Sequence, residues 1–160
     1  SQLSDGTEAA TDEAFYLNDE PLNIDIEQLT ESFSKQSVLV IDDSVHVRRY
    51  LTMTLEKAGY DVEQARDGQE GVDKLLGGLK VNAVLCDVEM PRLDGYGVLD
   101  EIKSRPEFSR LPITMLTSRN SDKHRKLAMN LGASAYFSKP YNDQELLRAL
   151  EELIHFSASI

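Results

Sequence analysis

The stretch from residue 37 onward predicts an α/β fold built on a parallel sheet. Two observations carry that expectation: five short, largely apolar runs rich in β-branched residues alternate with five segments whose apolar residues recur at helical spacing, and the connections between them are short. Consecutive strands joined in this way return through a helix, and right-handed crossovers bury both faces of the sheet.

SVLVID (37–42) is the first strand and ends in acids. Ser44 is placed to cap the helix that follows, in which Val47, Leu51, Leu55 and Ala58 recur until Gly59 stops it. YDVEQA (60–65) is the second strand. DGQEGVDKLLGG then gives a short helix with Val72, Leu75 and Leu76 inward, closed by Gly77 and Gly78. NAVLCD (82–87) is the third strand; Val98, Leu99 and Ile102 mark the next helix, which ends before Pro106. PITMLTS (112–118) is the fourth strand, and His124, Leu127, Ala128 and Leu131 line the helix after it, with Gly132 as its cap. AYFSK (135–139) is the fifth strand, and Leu146, Leu147, Leu150 and Ile154 line the last helix. No internal repeat is evident.

At 160 residues, with 41% hydrophobic and 28% charged, the chain has the composition of one globular domain with a substantial core. No apolar run approaches the ~20 residues of a membrane span, and no signal peptide is evident, so a cytoplasmic location without membrane insertion is expected. The single cysteine, Cys86, cannot form an intramolecular disulfide, and its apolar neighbours mark it as a small buried hydrophobe. The net charge of −11 is uneven: residues 1–36 carry nine acids and one base, Lys35, and so account for −8 of it. They read as an acidic linker or tail, mostly flexible, in which Ile26, Leu29 and Phe33 allow a short helix near 25–33. No basic patch or stripe appears, which argues against nucleic acid as a partner.

Ligands of such sheets gather beyond the carboxyl ends of the strands, where the strand order reverses. The polar residues expected there are Asp42 and Asp43 after strand one, Asp87 after strand three, Thr117 and Ser118 after strand four, and Ser138 and Lys139 after strand five. Three crowded carboxylates repel one another and call for a cation. An oxygen-only donor set with an open side suits Mg2+ shared with a phosphate. Lys139 supplies a second positive charge, and the Thr117 hydroxyl can hydrogen-bond an anion formed on Asp87, so nucleophile, metal and phosphate clamp occur together. Singly, an Asp pair before a helix reads as capping and Asp-Gly as a turn. Their shared placement on successive strand ends sets them apart.

VLVIDDS (38–44), CDVEMPRLDG (86–95), MLTSR (115–119) and YFSKPY (136–141) resemble the motifs of the receiver domain of two-component response regulators, over about residues 37–157. The resemblance implies a flavodoxin-like, CheY-like three-layer fold with strand order 2-1-3-4-5 and five helices. It implies Asp87 as phosphoacceptor from a phosphohistidine, with Mg2+ held by Asp42, Asp43, Asp87 and the backbone carbonyl of Glu89. Thr117 and Lys139 would contact the phosphoryl group, Thr117 and Tyr136 would form the switch, and the Lys139–Pro140 bond would be cis. Phosphorylation should draw Thr117 inward, let Tyr136 turn in and reshape the face of helix four, strand five and helix five. The implied partners are a histidine kinase or histidine phosphotransfer domain and a downstream protein target. The receiver would catalyse its own phosphorylation and dephosphorylation.

Glu89 and Arg119 lie two residues beyond Asp87 and Thr117, where charge or shielding can tune the lifetime of the phosphoryl group. The three histidines, His46, His124 and His155, share no metal-ligand spacing and read as surface or half-buried. The receiver most resembles those at the C-terminus of hybrid CheA-type histidine kinases. With little sequence after the last helix, a chemotaxis or motility type of output by protein contact is expected. A phosphate sink or an inactive interaction receiver within a larger kinase is the alternative. An aspartyl-phosphate phosphatase fits less well, because the loop after Asp87 lacks that class's motif, and a flavin-binding module would need a phosphate loop where DDSV stands.

Overall fold

The computed structural model describes residues 16–17, 20–21 and 35–159, and the chain divides between Ser34 and Lys35 into two units. In the first, Tyr16–Leu17 pairs antiparallel with Glu20–Pro21. The short helix expected near 25–33 lies outside the described residues.

In the second unit five parallel strands alternate with five helices: β1 (Ser37–Ile41), α1 (Val45–Lys57), β2 (Asp61–Ala65), α2 (Gly68–Leu76), β3 (Ala83–Asp87), α3 (Gly95–Lys103), β4 (Ile113–Thr117), α4 (Asp122–Asn130), β5 (Ala135–Ser138) and α5 (Asp143–Ser159). A 3-10 turn, Pro106–Phe108, follows α3. The sheet runs β2-β1-β3-β4-β5, the expected order. All four pairings are parallel.

Burial follows from that topology. Val38 to Ile41 of β1 and Ile113 to Thr117 of β4 are buried along their whole length, because helices cover both faces. Alternate residues feed two separate cores. Leu39, Ile41, Val84, Cys86, Ile113 and Met115 pack with Val72 and Leu75 of α2, Val98, Leu99 and Ile102 of α3, and Ala128 of α4. Val38, Val40, Leu85 and Leu116 pack on the other face with Leu51 and Leu55 of α1 and Leu146, Leu150 and Ile154 of α5. Each such side chain contributes about 1.5–3 kcal/mol by leaving water. β2 is an edge strand, and its exposed Asp61, Glu63 and Gln64 keep that edge polar.

The helices start where capping side chains allow. The side chains of Ser44, Asp67, Asp94 and Ser121 accept from Val47, Glu70, Gly97 and His124 N–H, each satisfying an orphan donor of the first turn. Two inward assignments do not hold. Leu76 is 42% exposed and Leu127 45% exposed. α2 and α4 are nine residues each, and their buried positions fall on narrower stripes than the run of apolar residues suggests.

Candidate phosphorylation site

β1 has β2 on one side and β3 on the other, so the connections leaving β1 and β3 part in opposite directions and open a crevice at their carboxyl ends. Asp42, Asp43 and Asp87 emerge there. One carboxylate oxygen from each lies within 4.8 Å of the others. They are the sole such acidic group among the described residues.

Asp42 and Asp87 are held by local geometry. Asp42 is 3% exposed; its amide donates to the Ala65 carbonyl at 3.1 Å, and its carboxylate accepts from Ser44 N–H at 2.9 Å. Arg48, one turn into α1, donates from Nη1 to the Asp42 carbonyl at 2.6 Å and fixes that peptide from behind. Asp87 accepts from the Val88 amide at 2.8 Å. The following loop folds back through a 2.7 Å bond from Gly95 N–H to the Val88 carbonyl. Any Cβ at Gly95 would collide with the Asp87 carbonyl oxygen, so glycine is needed at this close approach.

Crowding shows in the electrostatics. Burial, helped by the charge of Asp42, raises the Asp87 carboxyl from 3.8 to about 6, against the opposing pull of Lys139 and the Val88 amide. Burial also raises Asp42, while its bond from Ser44 and the charge of Lys139 work the other way. Lys139 Nζ stands 3.7 Å from Asp42 and 3.9 Å from Asp87, and the Lys139–Pro140 bond is cis. A lone ammonium at that range leaves three carboxylates undercompensated. The donor set is all oxygen and one member, Asp43, is exposed, so the residues fit a hard divalent cation with an open side.

Thr117 is fully buried at the end of β4, and its hydroxyl accepts from Arg119 N–H at 3.1 Å. Tyr136 is 5% exposed, its hydroxyl donates to the Arg119 carbonyl at 2.6 Å, and the Arg125 guanidinium sits 5.0 Å from its ring centroid. Tyr136 is thus buried in this structure, with its hydroxyl anchored on the loop after β4. Arg119 and Glu89 meet: Arg119 Nε and Nη2 donate to one Glu89 oxygen at 2.8 and 2.5 Å. Of the eight expected site residues, Asp42, Asp43, Asp87 and Lys139 come together in the cluster, and Thr117, Tyr136 and Glu89 are each bonded to Arg119.

Sequence reasoning missed Arg48 and the pairing of Glu89 with Arg119 across two loops. The spacing of Arg48 from Asp42 was the one available signal; the cross-loop pair left none.

A family model for the response regulator receiver domain matches residues 38–151. The chain belongs to that family. The receiver is 39% identical over 122 residues to the transcriptional regulatory protein CpxR homolog of Haemophilus influenzae, covering 76% of this chain and 52% of that protein. It thus spans about half the length of the curated relatives it matches. Among solved structures it is similar to the chemotaxis protein CheY4 of Vibrio cholerae, with a TM-score of 0.70 and 31% identity over 75% of this chain and 99% of that one. It is also similar to the receiver domain of sensor histidine kinase PA1611 from Pseudomonas aeruginosa, with a TM-score of 0.69 and 29% identity over 76% of this chain and 99% of that one. That receiver carries a magnesium ion in its active site cleft. No helix among the described residues of the present receiver is long and apolar enough to cross a membrane.

Proposed function

We propose that this receiver is a phosphorylation-activated switch in which Asp87 takes a phosphoryl group from a phosphohistidine. The observation that carries the reading is the cluster of Asp42, Asp43 and Asp87 with Lys139 Nζ 3.9 Å from Asp87. An Asp87 carboxylate oxygen attacks phosphorus in line, the P–N bond breaks, the imidazole leaves with the electron pair, and an acyl phosphate remains. Lys139 neutralises charge on the transferring group, and the Thr117 hydroxyl donates to a phosphoryl oxygen. Asp42, Asp43, Asp87 and the Glu89 carbonyl would hold Mg2+, which when bound supplies charge neutralisation at the same oxygens.

The Arg119 backbone supports a switch role for Thr117 and Tyr136. Its N–H reaches Thr117 and its carbonyl holds Tyr136, so a rotation of Thr117 toward a phosphoryl group pulls on the residue that anchors the ring. The readout would fall on the α4, β5 and α5 face, where a protein target binds. Taking such a switch from ~1% to ~99% active needs ~5.5 kcal/mol of differential stabilisation. The donor would be a histidine kinase or phosphotransfer domain, and the likeness to the Vibrio cholerae chemotaxis protein supports a chemotaxis or motility pathway in the cytoplasm, with placement in a hybrid CheA-type kinase as part of the same proposal.

Incubation with acetyl phosphate and Mg2+ should add one phosphoryl group by intact-mass analysis, and Asp87→Asn should abolish it. Undiminished labelling of that variant would sink the assignment.

A further inference from the structure

Beside the carboxylate cluster an open cleft of about 340 Å³ is lined by Glu89, Tyr96, Arg119, Lys123, His124 and Leu127, among others. Arg119 and Glu89 cross it as a strap between the loops after β3 and β4. Their side chains are 44% and 49% exposed. An ion pair so exposed has little hold of its own, because two long side chains lose freedom to form it and water screens it. This pair has a second anchor. Arg119 Nη1 lies 3.0 Å from Nε2 of His124, in the first turn of α4, and His124 Nδ1 lies 2.5 Å from Oγ of the cap residue Ser121.

The chemistry of these atoms leaves one arrangement. A guanidinium has donors only, so Nε2 must carry the lone pair and accept. In a neutral imidazole the proton is then on Nδ1, which donates to Ser121 Oγ. The same oxygen accepts the His124 amide at 3.3 Å, so both the ring and the backbone of this residue are tied to the helix cap.

We infer that His124 is a positioning residue for the phosphorylation site: it fixes the Arg119–Glu89 strap beside Asp87 and so slows attack of water on the acyl phosphate. The inference deepens the proposed function and rests on it. It also joins the first turn of α4 to the rim of the site, so that whatever moves α4 alters the lifetime of the phosphoryl group.

The experiment has two arms. In the first, Asp87 is phosphorylated with acetyl phosphate in Mg2+, the donor is removed and the decay of the acyl phosphate is followed. His124→Ala should shorten its half-life about threefold, the size expected of one exposed hydrogen bond. His124→Gln, which keeps an acceptor near Nε2, should restore most of the half-life. In an Arg119→Ala background His124→Ala should have no further effect. An unchanged or longer half-life in His124→Ala, or an equal loss in the Arg119→Ala background, overturns the inference. The second arm needs no phosphorylation: ring nitrogen shifts in the unmodified protein should show His124 protonated on Nδ1. The Nε2-protonated form overturns the inference by itself. Failure to form any acyl phosphate counts against the proposed function and leaves the second arm to decide the placement of His124.

Discussion

The Tyr136 hydroxyl donates a 2.6 Å hydrogen bond to the backbone carbonyl of Arg119, the residue whose N–H is bonded to Thr117. One residue thus holds both the proposed sensor of a phosphoryl group and the aromatic ring that would report it. Tyr136→Phe keeps the ring and removes that bond. The change should cost about 0.5–1.5 kcal/mol in chemical denaturation, with amide shifts concentrated at residues 117–120; shifts confined to β5 would refute the link.

Asp87 reveals itself through pH. Its carboxyl is raised to about 6 in the folded protein, above the ordinary carboxylate range, so its stabilising effect is full below about pH 4 and is lost as the pH rises through 6. Asp87→Asn removes that burden. In metal-free buffer at pH 7.5 the variant should be more stable by about 1–2 kcal/mol once solvent screening is allowed for. The gain should shrink toward pH 5, and urea melts at the two pH values test it.

Divalent ions should compete with the same proton. Binding of Mg2+ requires Asp87 ionised, so affinity should fall about tenfold per pH unit below 6 if one proton is displaced. Calorimetry in buffers of different ionisation enthalpy measures the proton count directly, and a value of zero at pH 5.5 would contradict the assignment.

Lys139 is the one ammonium within 4.0 Å of the acid cluster among the described residues. Lys139→Met should lower metal-free stability at pH 7.5 by about 0.5–1 kcal/mol, and slow acetyl phosphate labelling about a hundredfold. Restoration of stability by Mg2+ without restoration of labelling would separate its two roles.

Gly95 supports Asp87 from below. Gly95→Ala must push the Asp87 carbonyl aside, so we expect a loss of about 1–3 kcal/mol, with weaker Mg2+ binding. Unaltered binding would show that the loop absorbs the methyl group without moving the acid.

Much of this arrangement is legible in the sequence because a doubly covered parallel sheet writes itself plainly. Runs such as SVLVI and AVLCD can be little else, and the polar residue that ends each run must surface at one rim of the sheet. Strand limits fall one residue inside the expected ones in several places, and most of the residues left out, among them Asp42, Asn82, Ser118 and Lys139, are polar ones at the strand ends. Helix faces are less legible. Leu76 and Leu127 are apolar yet exposed, because a nine-residue helix buries only a narrow stripe. The pairing of Glu89 with Arg119, 30 residues apart, depends on how two loops curl and leaves no periodic trace. Nor does spacing reveal that the Tyr136 hydroxyl bonds to the Arg119 carbonyl.

Cys86 is the only thiol in the chain, 1% exposed, with its acidity suppressed by burial and its sulfur against the Asp87 carbonyl. It cannot meet an alkylating reagent until β3 leaves the sheet. The receiver therefore contains its own clock for opening at the residue next to Asp87: the rate of thiol labelling counts how often the centre of the molecule comes apart, and any ion or phosphoryl group that steadies Asp87 should slow it.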